Sequence, residues 1–459
     1  MGWFDFLRKI FGFGRAESSQ GSQTVADAPL AEAPVTESSA AESPSSDVSD
    51  SEVSEPAEKR KAEPRPNSTV PRPDVHLRPL DYVPSTVPIP PDREIVSEKP
   101  YRFAVPAPRT GEFLDLSRDS DERWLEYYGL PRLKTPDDLA DWLGVTTGTL
   151  AWLTHRFREG HRPSDERDSH YHYRWIAKRS EGWRLIEAPK SKLKDVQTKI
   201  LRGILDSVPA HSAAHGFVPG RSIVSNATPH SGSKFILKMD LEDFYPTVRY
   251  SRVVAIYRSL GFSREVSLWL ARLSVSALPW SLKSPVSAHE YVVYTAHHLP
   301  QGAPTSPALA NLSAYGLDIR LAGMANAYRI RYTRYADDLT FSGPGLSIPA
   351  LNEFIPLAKK IIREERFTMN RRKLKVIRNS QRQIVTGVVV NEKTNVSRKE
   401  FDQLKAILYN CIKHGPQSQN RAEIANFAEH LRGRIAHISQ LNPRRGAKLM
   451  RMYSQIGWT

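Results

Sequence analysis

Tyr335-Ala336-Asp337-Asp338 sets two carboxylates side by side inside Ile330 to Ser342, a run that reads as two strands meeting at that tetrapeptide. Like charges this close raise each other's pKa unless a cation neutralises them. Successive strand residues point to opposite faces, but a turn lets both carboxylates reach one ion cluster. A second short apolar run, Phe235 to Met239, ends at Asp240 and reads as a buried strand delivering a third carboxylate from far away in sequence. Three carboxylates on sheet ends suit a hard, oxygen-seeking cation such as Mg²⁺. Two such ions about 3.5–4 Å apart clamp the attacking and leaving oxygens of an in-line displacement at phosphorus. That chemistry is nucleotidyl transfer. Taken alone, the tetrapeptide also fits an ordinary surface turn, where Asp is common.

The elements around these residues can be read in outline. Thr135-Pro136-Asp137-Asp138 opens a helix with a capping box, and Leu139, Trp142, Leu143, Leu150 and Leu153 continue it as a helix–turn–helix punctuated by Gly144. Arg174 to Ser180, a turn at Glu181-Gly182, and Trp183 to Ala188 read as a hairpin. Leu193, Val196, Ile200, Leu201, Ile204 and Leu205 follow at helical spacing, as do Phe401, Leu404, Ile407, Leu408, Cys411 and Ile412. The C-terminal stretch with Arg432, Arg434, Arg444, Arg445, Lys448 and Arg451 is helical and basic. Cys411 falls on an apolar face, as an inert core residue would.

Upstream, residues 16–58 hold ten acids and no Lys or Arg. Such a stretch cannot bury enough apolar surface to offset chain entropy, and it is expected to be disordered. The whole chain carries +15, so subtracting that −10 leaves +25 on the rest and points to a polyanionic partner. Residues 59–110 are proline-rich and read as an extended linker. The expected organisation is a short amphipathic segment at 1–14 (Trp3, Phe4, Leu7, Ile10 and Phe11 on one face), disordered acidic then Pro-rich chain at 15–110, and a helical region at 111–165. Catalytic domains follow at 166–392, then a basic helical domain at 393–459. One cysteine excludes a disulfide framework and a multi-Cys zinc site, and His155, His161, His170 and His172 lack the companions and spacing of one. No stretch reaches the roughly 20 apolar residues of a membrane span, and the N-terminus lacks a secretory or myristoylation pattern. The expectation is a cytoplasmic protein without a membrane partner.

Three long motifs, in order, resemble the reverse transcriptase family. They are Lys238-Met239-Asp240-Leu241-Glu242-Asp243-Phe244-Tyr245-Pro246, Leu299-Pro300-Gln301-Gly302-Ala303-Pro304-Thr305-Ser306-Pro307, and Tyr-Ala-Asp-Asp at 335–338. The resemblance spans about residues 135–459. It implies an α+β right-handed polymerase with fingers, a palm on an antiparallel sheet of three to four strands, and a helical thumb. It implies two Mg²⁺ ions on Asp240, Asp337, Asp338 and the Leu241 carbonyl. Tyr245 would be the steric gate against a ribose 2′-OH, Gln301 would contact the incoming dNTP, and Arg184 and Lys190 would grip its triphosphate. Lys373 resembles the late palm lysine that protonates pyrophosphate, although Leu374 follows it where the family has Thr.

Two shorter motifs are similar to those marking the bacterial retron subfamily. Asn226-Ala227-Thr228-Pro229-His230 fits its Asn-Ala-x-x-His signature, and Val385-Thr386-Gly387 fits its Val-Thr-Gly signature; His215 to Ile223 also fits its pattern. The resemblance implies RNA contacts at Asn226, Ala227, His230, Val385, Thr386 and Gly387. It also implies a cognate structured non-coding RNA as template and primer, a branched RNA–DNA product started from an internal guanosine 2′-OH, and a role in anti-phage defence, with an effector protein as a further partner. The basic thumb would hold an A-form-like hybrid through its phosphates. Other readings stay open: a group II intron or diversity-generating reverse transcriptase, a non-catalytic RNA-binding protein on this fold, or a regulator reading DNA with Leu139 to Leu153.

Overall fold

The computed structural model describes residues 95–154, 162–178 and 182–458. The segments at 1–14 and 16–58, together with His155, His161 and Glu181, lie outside them. Folded chain begins before residue 111. β1 (Ile95–Val96) pairs antiparallel with β2 (Phe113–Leu114). The linker reading fails for 95–110 because aromatic residues among the prolines find partners. Phe103 packs on Trp269 with ring centroids 5.1 Å apart, and the buried Tyr101 hydroxyl donates to Glu265 at 3.1 Å.

α1 (Glu122–Tyr127) precedes the expected helical pair, α2 (Pro136–Leu143) and α3 (Thr147–Thr154). Thr135 and Asp138 form the capping box that opens α2, with Pro136 at its first position, where the missing N–H costs nothing. The fingers hairpin is β3 (Tyr171–Ala177) with β4 (Trp183–Pro189), followed by α4 (Ser191–Gly203). Then come α5 (Ile223–Ala227), β5 (Phe235–Glu242), α6 (Tyr250–Ser259), α7 (Arg264–Ser274) and α8 (Ala288–Val292). α9 (Ser306–Ser313) and α10 (Tyr315–Ala327) lead to β6 (Arg331–Tyr335), β7 (Asp338–Gly343) and α11 (Ile348–Glu364), and β8 (Thr368–Met369) and β9 (Lys375–Arg378) complete the palm. α2 and α3 pack on α7, and α2 also on α4. Their buried leucines make them a support, not a DNA-reading pair.

The palm sheet runs β6-β7-β5-β8, with β9 also on β5, and every pairing is antiparallel. It has five strands, not three or four, because β8 and β9 share the outer edge of β5. Alternation along β5 sorts its side chains by face. Phe235, Leu237, Met239 and Leu241 enter the main core, which also takes Leu339 and Phe341 from β7 and Leu309, Leu317, Leu321 and Phe354 from the helices beneath. Ile236, Lys238 and Asp240 point the other way, into the cleft.

The thumb begins earlier than residue 393. β10 (Ile384–Val385) and β11 (Val388–Val389) form a hairpin whose valines join a second core with α12 (Arg398–His414), α13 (Phe427–Leu441) and α14 (Pro443–Tyr453). Leu404, Leu408, Cys411, Leu431, Ile435, Ile438 and Leu449 fill it. Ala227 and Ile236 belong to it as well, so the thumb root sits on the cleft face of the palm sheet, behind Asp240. Among the described residues no helix is long and apolar enough to cross a membrane.

Candidate active site

Asp240 lies inside β5, not at its end, and is directly opposite Asp338 of β7. Opposed side chains on one sheet face stand about 4.5–5.5 Å apart at Cβ, so two of the three carboxylates are neighbours by register alone. Asp337 occupies the two-residue turn between Tyr335 and Asp338. Ala336, the other turn residue, takes φ +55, a left-handed conformation that costs a non-glycine residue about 1–2 kcal/mol.

That turn is held from three sides. Leu241 N–H donates to the Asp337 carbonyl at 2.9 Å. The buried Arg334 guanidinium donates to the Ala336 carbonyl at 3.0 Å, to Asn311 Oδ1 at 2.9 Å, and to both Asp318 oxygens at 2.8 and 2.6 Å. Asn311 donates in turn to the Gly216 carbonyl at 2.9 Å. Gly216 approaches so closely that an added Cβ would stand 2.6 Å from the Ala336 nitrogen, which explains a glycine in His215-Gly216-Phe217. None of Arg334, Asp318 and Asn311 is singled out by the sequence, because their partners lie far away in the chain.

The carboxylates crowd one another electrostatically. Burial pushes the Asp337 carboxyl up to about 6, and the charges of Asp338 and Asp240 add to it. Burial also raises Asp240, against the Lys373 ammonium. Lys373 Nζ donates to both Asp240 oxygens, at 2.8 and 2.9 Å. Burial alone would lower this ammonium's pKa, but the bonds and charge of Asp240 outweigh it and raise it. Among the described residues no three or more His, Cys, Asp or Glu side chains are gathered closely enough to hold a metal ion. The donor set is nonetheless the hard, all-oxygen set Mg²⁺ takes, and a cationic ammonium stands on its central member.

Tyr245 is drawn to this cluster. Burial raises its phenol first, then the Asp337 charge, with Arg334 and Arg184 opposing; Arg184 on β4 thus acts on the same group as the carboxylates. Asp243, two residues earlier, has its carboxyl raised by burial and opposed by Lys178 at the end of β3. Lys178 escaped sequence reasoning; its place two residues past Ile176, the register partner of Arg184, and so on the same hairpin face was the available signal. Gln301 accepts the Glu187 N–H at 3.0 Å through its own carbonyl. Gly302 takes φ +139 with the Glu187 carbonyl 2.9 Å from where a Cβ would stand. The buried pair His298 Nε2 and Glu187 Oε2, 2.9 Å apart, fastens β4 to this loop.

Other expected contacts are placed elsewhere. The Lys190 ammonium donates to the carbonyls of Glu166 and Ser169 at 2.9 and 2.7 Å, pinning the loop before β3 rather than presenting a free cation. Leu241's side chain is in the core, so only its carbonyl could meet an ion. The two short signatures meet each other at the thumb root. Asn226 Nδ2 donates to Thr386 Oγ1 at 3.4 Å, and Thr386 Oγ1 donates to the Ile223 carbonyl at 3.1 Å. Thr386 and Gly387 take φ +46 and +86, the two positive values of a type I′ turn between β10 and β11. His230 bridges Ser342 Oγ at 2.6 Å and Thr333 Oγ1 at 2.7 Å, on the hairpin that carries Asp337 and Asp338. Asn226, Ala227, His230 and Val385 are buried. RNA contact through their side chains is therefore corrected: they are packing and bridging groups, and only the Thr386-Gly387 turn reaches the surface.

With the geometry in view, the similarities are consistent. Residues 176–402 match the family model described as reverse transcriptase (RNA-dependent DNA polymerase). The chain is 41% identical over 338 residues to the Retron Mx65 reverse transcriptase of Myxococcus xanthus, covering 72% of this chain and 74% of that one. It is 33% identical to the Retron Mx162 reverse transcriptase of the same organism, covering 72% and 68%. Against the Retron Ec86 reverse transcriptase of Escherichia coli the identity is 29%, covering 76% and 95%.

Proposed function

Because the chain belongs to the retron reverse transcriptases and is an RNA-directed DNA polymerase, we propose that it copies one cognate structured RNA into single-stranded DNA. Synthesis starts from the 2′-OH of an internal guanosine and yields a branched RNA–DNA hybrid that serves anti-phage defence, with an effector protein as partner. The observation that carries the catalytic part is the register of Asp240 opposite Asp338 with Asp337 in the adjoining turn.

Asp240, Asp337, Asp338 and the Leu241 carbonyl would hold two Mg²⁺ ions, which when bound supply Lewis-acid stabilisation of charge at the reacting phosphorus. The remaining work is the chain's own. Arg334 and Asn311 keep the turn in its left-handed conformation. Tyr245 closes the space beside the sugar and discriminates against a 2′-OH, while Lys178 and Arg184 grip the triphosphate and Gln301 orients the nucleotide. Lys373, held charged by Asp240, is the proton donor to the departing pyrophosphate.

The test is to express the chain with its native flanking DNA, extract the bound nucleic acid, and treat it with RNase and debranching enzyme. A single-stranded DNA of defined size whose mobility shifts on debranching is the expected result. Extension of annealed primers on any RNA, with no branched product, would place the enzyme outside self-primed synthesis.

A further inference from the structure

Lys238 lies two residues behind Asp240 on the same face of β5, and its register partner on β9 is Lys375. Two ammonium groups directly opposite each other on one sheet face repel, and such pairs destabilise a sheet. Neither makes a hydrogen bond or ion pair with any described residue. Their other flank offers no relief: Lys238 is opposite the buried Thr340 on β7, and Arg371, Arg372 and Lys373 precede Lys375. The nearest carboxylate along the face is Asp240, already taken by Lys373 and required by the cations of the reaction. A central strand with an uncompensated like-charge pair is stable in use if an anion completes it.

The direction of the cleft identifies that anion. Of the groups assigned to the nucleotide, Tyr245 follows Asp240 in the chain, Arg184 acts on it, and Lys178 acts on the neighbouring Asp243, all on the side of β5 beyond Asp240. Lys238 and Lys375 lie on the opposite side. Two strand residues span about 6.6 Å, and the next cleft-facing residue, Ile236, is already covered by the thumb root. The pair thus stands between the carboxylates and the thumb root, on the side away from the nucleotide groups. We infer that Lys238 and Lys375 together form a phosphate site for the backbone of the RNA–DNA duplex just behind the point of nucleotide addition.

This rests on the polymerase reading of the carboxylates, and the experiment keeps the two separate. Lys238→Met, Lys375→Met and the double variant of the full chain are compared for thermal stability without nucleic acid, affinity for a preformed RNA–DNA hybrid across a salt series, and dNTP KM. The free double variant melts higher by about 1–2 °C as the repulsion is removed. Its hybrid Kd rises about 10-fold, and its log–log salt slope becomes shallower by about 1. The dNTP KM moves less than about 2-fold. A lower melting temperature with unchanged hybrid Kd would make the lysines structural, and a raised dNTP KM with unchanged Kd would make them triphosphate ligands; either result overturns the inference. If the double variant does not fold, Lys375→Met, on the exposed outer strand, carries the same comparison. Asp337→Asn with Asp338→Asn tests the carboxylate reading alone, through nucleotide incorporation, and leaves the lysine comparison readable.

Discussion

Asp337 binds its proton more tightly in the folded chain than an ordinary aspartate does, because burial and two neighbouring carboxylates disfavour its charge. The folded value of about 6 exceeds an unfolded value of about 3.9. The metal-free protein should therefore lose stability as pH rises from about 4 to about 6, and Asp337→Asn should flatten that slope in thermal melts with chelator. Arg334→Met strips the buried Asp318 of its partner and releases the Ala336 carbonyl; removing one member of such a pair costs about 3–5 kcal/mol, read as a lowered denaturation midpoint. Tyr245→Ala should raise ribonucleotide incorporation relative to dNTP by about 10–200-fold in competition assays. The carboxylates were legible because adjacent Asp residues at a strand turn are chemically conspicuous. Arg334, Asp318 and Glu187 were not, because each is defined by a partner more than ten residues away and reads in isolation as an ordinary charge. Lys190 misled for the complementary reason: its type and position suit a phosphate, while two nearby carbonyls already take its protons.

The helices read around Leu139–Leu153, Leu193–Leu205 and Phe401–Ile412, the fingers hairpin and the hairpin that carries Asp337 and Asp338 follow from periodicity and capping, with bounds that shift by a few residues, whereas the helices between β5 and β6 and α11 after β7 gave no such signal. What periodicity could not reveal is which elements touch. α5 and the Val385-Thr386-Gly387 turn look like two separate recognition motifs, yet Thr386 is fastened to α5, and His230 follows α5 onto the face of β6 and β7 that also carries Asp338. The segment joins the thumb root to the hairpin that carries Asp337 and Asp338. Burial, with Arg331 and His215 adding to it, holds His230 neutral and lowers its pKa to about 3. The unfolded chain takes up that proton between about 6.5 and 3, so the stability from this histidine is complete above about 6.5 and is lost as pH falls. His230→Phe should flatten this acid limb, lower stability by about 1–3 kcal/mol through the two lost hydrogen bonds, and depress the nucleotide-addition rate more than RNA affinity. A variant that loses RNA affinity at an unchanged addition rate would restore the RNA-contact reading.

At the scale of the molecule, the palm sheet divides the structure. One face is packed against helices, and the other is a cleft bounded by the fingers hairpin and the thumb root. The net +25 outside the acidic stretch points to a polyanionic partner, but charge alone could not say that two lysines would face each other on the palm sheet. Exposed Arg432, Arg444, Lys448 and Arg451 add positive charge on the thumb. Asp240, Asp337 and Asp338 are the proposed single site for RNA-templated addition of deoxynucleotides. Its most direct test is single-nucleotide extension of a DNA primer on an RNA template, with Mg²⁺ titrated, for the full chain and for Asp337→Asn with Asp338→Asn. The chain should extend the primer in a Mg²⁺-dependent manner, and the variant should bind the hybrid yet extend it at least about 10³-fold more slowly, a barrier change of about 4 kcal/mol. Extension by the variant at the wild-type rate would contradict the assignment of these carboxylates.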